Sequence, residues 1–210
     1  MLEIDELIVA LSKARPVFHS EADFQHSFAW QLHLQHPTAQ IRLETVFSSA
    51  LGRLHLDMFC QIADQSYAFE LKYKTRAASI TLGQETFRLQ NHGAQPLGRY
   101  DFLRDLMRLE AVTAGSQAIR GYAILLTNDS AYWCNPRGIA GTSDAFSLHD
   151  GRVLSGELNW SARASTGTKR NREEPIRLTA RYSPEWRDYS NVDVRDYSAF
   201  RYVSIPVAAG

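Results

Sequence analysis

Only two cysteines, Cys60 and Cys134, occur in 210 residues, which excludes a disulfide framework. Each neighbours aromatic or apolar residues, so buried, reduced thiols are expected. Long hydrophobic runs are missing too. Stretches such as Ala123-Ile124-Leu125-Leu126 fall far short of the ~20 residues that span a bilayer, so no membrane helix is expected. The opening Leu2-Glu3-Ile4-Asp5-Glu6-Leu7 is acidic and amphipathic, whereas a secretory leader starts basic and turns uniformly apolar. The expected compartment is the cytoplasm. There is no internal repeat and no low-complexity tract. An excess of charge is also lacking: 23 basic residues balance 23 acidic ones, which argues against a chain that coats nucleic acid non-specifically.

What is present suits a single folded domain over residues 1–210. The hydrophobic fraction is 44% and the charged fraction 22%, enough apolar surface for a full core. Charge is unevenly spread. Residues 1–40 carry Glu3, Asp5, Glu6, Glu21 and Asp23 against Lys13 and Arg15, whereas residues 152–181 carry seven bases against three acids. A neutral chain can thus present one phosphate-attracting side.

Residues 3–14 form an amphipathic pattern with Ile4, Leu7, Ile8 and Leu11 at helical spacing, and Pro16 lies just beyond. Ser20 is placed to cap a second helix reaching about His36, with Phe24, Phe28 and Leu32 on its apolar side. From Ile41 the period shortens to two. Strands are expected over 41–48, 53–62 and 67–76, the last two joined as an antiparallel hairpin. In the second, Leu54, Leu56, Met58, Cys60 and Ile62 take one face, and Arg53, His55, Asp57, Phe59 and Gln61 the other. Asn91, Gly93, Pro96 and Gly98 read as turn formers before a helix over 100–113, and 121–127 is an all-apolar interior strand. Residues 161–174 read as a mobile basic loop, and 197–207 as a last strand. This order is α/β.

Glu70-Leu71-Lys72 lies inside the apolar-flanked strand. A bare Glu-x-Lys arises roughly once by chance in a chain of this length, so its setting decides its value. An acid and a lysine two apart on a strand point to one face, and Asp57 sits on the polar face of the preceding strand. Charge on an interior strand is costly unless it is paired or metal-bound. Asp57 and Glu70 could hold Mg²⁺ with the Leu71 carbonyl as a third oxygen, while Lys72 orients or helps deprotonate an attacking water. Glu21, on one helical face with Gln25, Phe28 and Leu32, is carried towards the same place and could hold a second metal or act through water. The simpler alternative is a cross-strand ion pair on a half-exposed face, worth ~0–1 kcal/mol.

On these residues the chain resembles the PD-(D/E)xK nuclease superfamily, the restriction-endonuclease-like fold. Residues 21–127 are similar to its order: a helix bearing a Glu, a hairpin carrying Asp and then (D/E)xK, a helix and a further strand. Glu21, Asp57, Glu70 and Lys72 match the motif positions. Leu56 precedes Asp57 where the superfamily commonly has proline. The resemblance implies a mixed central sheet flanked by helices, with a core over about 16–128 and a C-terminal elaboration over 129–210. It implies phosphodiester hydrolysis with Mg²⁺, for which Mn²⁺ may substitute, in DNA ahead of RNA, and pairing as a homodimer. An inactive protein of the same fold, binding nucleic acid or another protein, is the alternative.

Further residues are candidates for gripping substrate. His55 shares the polar face of Asp57, Gln25 lies a turn beyond Glu21, and Lys74 and Arg76 continue the row of Lys72. Arg104 and Arg108 sit one helical turn apart, and Asp101 and Asp105 at pairing distance are expected to neutralise them. His19, His26, His33 and His36 lack the spacing of a zinc site. Trp160, Trp186, Tyr182, Tyr189, Tyr197 and Tyr202 interleave with arginines as on base-stacking surfaces, but core positions are expected for them.

Overall fold

The computed structural model describes residues 2–49, 52–135 and 141–208. Three α-helices and ten strands follow in the order α1 (Ile4–Ala14), α2 (Glu21–Gln35), β1 (Gln40–Ser49), β2 (Gly52–Ile62), β3 (Gln65–Lys74), β4 (Ala78–Leu82), β5 (Glu85–Leu89), α3 (Gln95–Ala114), β6 (Ile119–Thr127), β7 (Leu154–Leu158), β8 (Ile176–Tyr182), β9 (Trp186–Asn191) and β10 (Ala199–Val207). The central sheet is mixed, ordered β1-β2-β3-β6-β10-β9. Among the described residues only β3 and β6 pair in parallel, and the crossover between them carries α3. No helix among the described residues is long and apolar enough to cross a membrane.

Two apolar clusters sandwich the sheet. Leu7, Leu11, Phe24, Phe28 and Leu32 of the first two helices pack with Met58, Phe69, Leu71 and Tyr73 on one side. On the other, Leu103, Leu106 and Leu109 of α3 pack with Leu125, Val203 and Ile205, and β7 and β8 close over the helix. The first helices form as their sequence requires. Phe24, Phe28 and Leu32 are buried at helical spacing, and the Ser20 side chain caps α2 by accepting from the Asp23 N–H.

Three expectations need correction. Helix α3 starts at Gln95, five residues early: Pro96 occupies its first turn, where its missing N–H costs nothing. Gly98, expected as a turn former, lies within the helix, where its missing side chain leaves room for the Tyr132 hydroxyl. The one-face alternation of β2 also fails. Leu54 and Leu56 join the cluster on the α3 side and Met58 and Cys60 the other, so the strand twists sharply at Asp57, opposite Glu44 with its φ of +50°. Residues 161–174 lack regular structure but are anchored, since Arg172 binds both Asp101 oxygens at 2.7–2.8 Å and its carbonyl accepts the Trp160 indole N–H.

The C-terminal third is part of the main architecture. Strands β9 and β10 extend the central sheet, and β7–β8 cover α3. Of the late aromatics, Trp160, Tyr182, Trp186, Tyr189 and Tyr202 are buried, and Tyr197 is exposed. Cys60 is buried as expected, whereas Cys134 lies on the surface; both are free thiols.

Candidate functional site

The site begins with a gap in the sheet. Strands β2 and β3 pair from Ile62 opposite Gln65 to Met58 opposite Phe69, where the ladder stops, while β3 stays paired to β6 as far as Lys74. The N–H groups of Leu71 and Tyr73, on the β2 side, are left without strand partners. Two carboxylates replace them: Asp57 Oδ2 accepts the Leu71 N–H at 2.7 Å and Glu21 Oε2 accepts the Tyr73 N–H at 2.9 Å. Since a strand residue's N–H and C=O point the same way, the Leu71 carbonyl faces this gap as well.

Glu70 and Lys72 project from β3 towards α3, which answers with Asp105 and Arg108. The Lys72 ammonium stands 3.0 Å from Asp105 Oδ2 and 3.8 Å from Asp57 Oδ2. Arg108 donates to Asp105 Oδ1 at 2.9 Å and to the His55 carbonyl, with its guanidinium 3.4 Å from Glu70 Oε1. The Arg104–Asp101 and Arg108–Asp105 pairs expected from helical spacing are both formed. Sequence reasoning nevertheless missed Asp105 as a site residue. Its signal was its position within the apolar stripe of Phe102, Leu106 and Leu109, which buries it to 2% exposure.

Three carboxylates, Asp57, Glu70 and Asp105, therefore share two cations. Glu70 is only 2% exposed, and its Oε1 makes no hydrogen bond. Burial, then the negative charges of Asp105 and Asp57, push its carboxyl up to about 9 against the opposing pull of Arg108 and Lys72. Burial likewise raises Asp57, with Lys72 and the Leu71 N–H acting against it. Burial disfavours the Lys72 ammonium, but Asp105, Asp57 and Glu21 together hold it above the ordinary lysine value. In this metal-free site those three carboxylates favour the ammonium form of Lys72.

No family model, curated protein or solved structure matches this chain. The residues themselves must carry the reading. Among the described residues, no three His, Cys, Asp or Glu side chains gather closely enough to hold a metal alone. Asp57, Glu70 and the Leu71 carbonyl would nevertheless offer hard oxygen donors of the kind Mg²⁺ takes, and the enclosed, unbonded Glu70 oxygen fits such an ion.

The remaining candidates lie around this centre. Lys74 pairs with Glu21 at 3.2 Å, and Gln25 is half-buried a turn along α2. Arg76 lies beyond the end of β3, donating to the Tyr197 hydroxyl and stacking over its ring at 5.2 Å. His55 is exposed, and only its carbonyl joins the network. Unforeseen was His92, which follows the β4–β5 hairpin and whose Nδ1 accepts the Thr75 N–H at 3.0 Å. Burial, then Lys74, pulls its pKa down. His92, His19, Glu21, Lys74 and Thr75 line a cavity of about 280 Å³ beside the gap. A larger hollow of about 510 Å³ lies at the opposite end of β3, around Leu2, Ile62, Tyr67 and Arg120, without comparable chemistry.

Proposed function

We propose that this protein is a metal-dependent nuclease of the PD-(D/E)xK, restriction-endonuclease-like kind. It hydrolyses phosphodiester bonds with Mg²⁺ or Mn²⁺, acting on DNA in preference to RNA, as an endonuclease or exonuclease and as a paired homodimer. The observation that carries this reading is the meeting of Asp57, Glu70 and Lys72 at the mouth of the β2–β3 gap, with one Glu70 oxygen enclosed and unbonded. A structural ion pair does not require a third carboxylate that lacks a full partner.

Asp57, Glu70 and the Leu71 carbonyl would hold the ion, and Glu21 stands one step further along β3 at Tyr73. When bound, Mg²⁺ supplies charge neutralisation at the phosphate and an activated water. Lys72, kept protonated by Asp105, places a positive charge where the phosphate gains negative charge. Lys74, Arg76 and the exposed Tyr197 supply cations and a ring surface along the approach to the gap.

The test is degradation of a mixed DNA and RNA panel by wild type, Asp57→Ala and Lys72→Ala at matched folding, with calorimetric titration of Mg²⁺ and Mn²⁺. Metal-dependent cleavage that disappears in both variants is expected. Absence of both cleavage and metal binding in wild type would overturn the proposal. It would favour an inactive protein of the same fold that binds nucleic acid or another protein. One observation speaks for that second reading: Lys72 and Arg108 already supply counter-charge to all three carboxylates.

A further inference from the structure

Arg108 is the part of the network that a β-hairpin motif does not require. It comes from α3, its side chain retains 22% exposure, and its guanidinium has two firm hydrogen-bond partners, Asp105 and the His55 carbonyl. Towards Glu70 it makes a looser contact, 3.4 Å from an oxygen that no hydrogen bond satisfies. A cation thus stands beside the enclosed oxygen that a metal would use, and is better anchored elsewhere. Such a group can leave Glu70 without losing its other partners.

We propose that Arg108 is a stand-in cation, occupying the place beside the enclosed Glu70 oxygen in the metal-free protein and passing to the substrate phosphate when a divalent ion takes its place. The inference rests on the nuclease reading and deepens it by assigning a phosphate-binding residue and an order of events. Formal charge supports the exchange. In the loaded site, ionised Asp57, Glu70 and Asp105 against Lys72, Arg108 and a divalent ion leave +1, matching one phosphodiester anion. Without Arg108 the loaded site would be neutral and the incoming phosphate would lose a partner. Asp105 is the pivot, with Lys72 at 3.0 Å and Arg108 at 2.9 Å from its two oxygens.

The test is calorimetric titration of Mn²⁺ into wild type, Arg108→Gln and Arg108→Lys without nucleic acid, followed by cleavage assays on the same preparations. Removing a competing unit charge next to a ligand oxygen should tighten Mn²⁺ binding about tenfold in Arg108→Gln. Arg108→Lys keeps the unit charge on a point ammonium and should leave the affinity within about twofold. Both variants should cut DNA more slowly at saturating metal, since the phosphate has lost its partner. A purely structural arginine would move the affinity the other way, because its loss would loosen the site. An Mn²⁺ affinity that is unchanged or weaker in folded Arg108→Gln, while wild type binds and cleaves, overturns the role of Arg108 and leaves the nuclease reading intact. Wild type that neither binds Mn²⁺ nor cleaves overturns both.

Discussion

Glu70 and Glu110 are both buried glutamates beside α3, and they are treated in opposite ways. Glu110, on the helix, accepts the Thr179 N–H at 2.9–3.0 Å, the Ala180 N–H at 2.9 Å and the Tyr182 hydroxyl at 2.9 Å. It ties β8 to the helix in place of a strand partner. Glu70, reaching the helix from β3, has an enclosed oxygen with no hydrogen bond and a carboxyl pushed up to about 9. Desolvation of a carboxylate is offset by fixed N–H dipoles in the first case and left outstanding in the second. A buried acid with full partners argues for architecture, and one without them for a missing ligand.

The largest expected effect separates the two glutamates by activity. Glu70→Gln keeps the shape but removes a hard anionic oxygen, and should lower metal-dependent cleavage about 10³-fold. Glu110→Gln should leave kcat within about twofold. Equal losses of activity in both, with matched folding, would erase the distinction. Stability should separate them in reverse. In Glu110→Gln an amide group meets N–H donors that need acceptors, and urea unfolding should show a loss of about 2–4 kcal/mol.

A third effect is smaller and depends on pH. Between the unfolded value near 4.5 and the folded value of about 9, native Glu70 keeps a proton that the unfolded chain has lost. Native protein then binds more protons, so the stability owed to this group is complete below the unfolded value and falls as pH rises towards 9. Glu70→Gln has no proton to lose. Its unfolding free energy from urea denaturation should gain on that of wild type steadily from pH 5 to pH 9 without metal. A constant difference across that range would mean that Glu70 is ionised in the folded protein at neutral pH.

Sequence pattern conveyed much of this arrangement, and its failures have physical causes. Helical stripes located α1 and α2, whose apolar residues are buried at helical spacing, while period-two and apolar runs located β1, β2, β3, β6 and β10. The hairpins β4–β5 and β7–β8 and strand β9 were missed: these strands are only five to seven residues long, too short for a period to emerge. Asp57, Glu70, Lys72 and Glu21 were legible because charge inside an apolar strand, or on a sheet-facing helix side, is improbable without a partner. Asp105 was read only as the partner of Arg108, and Arg108 as a candidate grip on substrate that Asp105 neutralises. Their helical spacing explains that pair fully, and nothing local reveals that Lys72 and Glu70 lie across from them. The splay of β2 from β3 was equally hidden, since it follows from the twist at Asp57 and the long-range pairing of β3 with β6.

Glu21 gives the smallest effect and the finest test of the comparison, because it combines both behaviours. Like Glu110 it accepts a strand N–H, that of Tyr73, and like Glu70 it lies beside the gap with a cation, Lys74, at 3.2 Å. Its side chain is a third exposed, so water screens the ion pair and its loss should cost under about 1 kcal/mol of stability. In Glu21→Gln the amide oxygen can still accept the Tyr73 N–H, which removes only the charge. Cleavage at saturating metal should then fall about fivefold, less than a primary ligand and more than a bystander. Glu21→Ala should add a drop in thermal midpoint by freeing that N–H. If Glu21→Gln instead matches the loss in Glu70→Gln, Glu21 is a direct ligand in the reacting state, and the boundary between architecture and chemistry runs through α2 as well as β3.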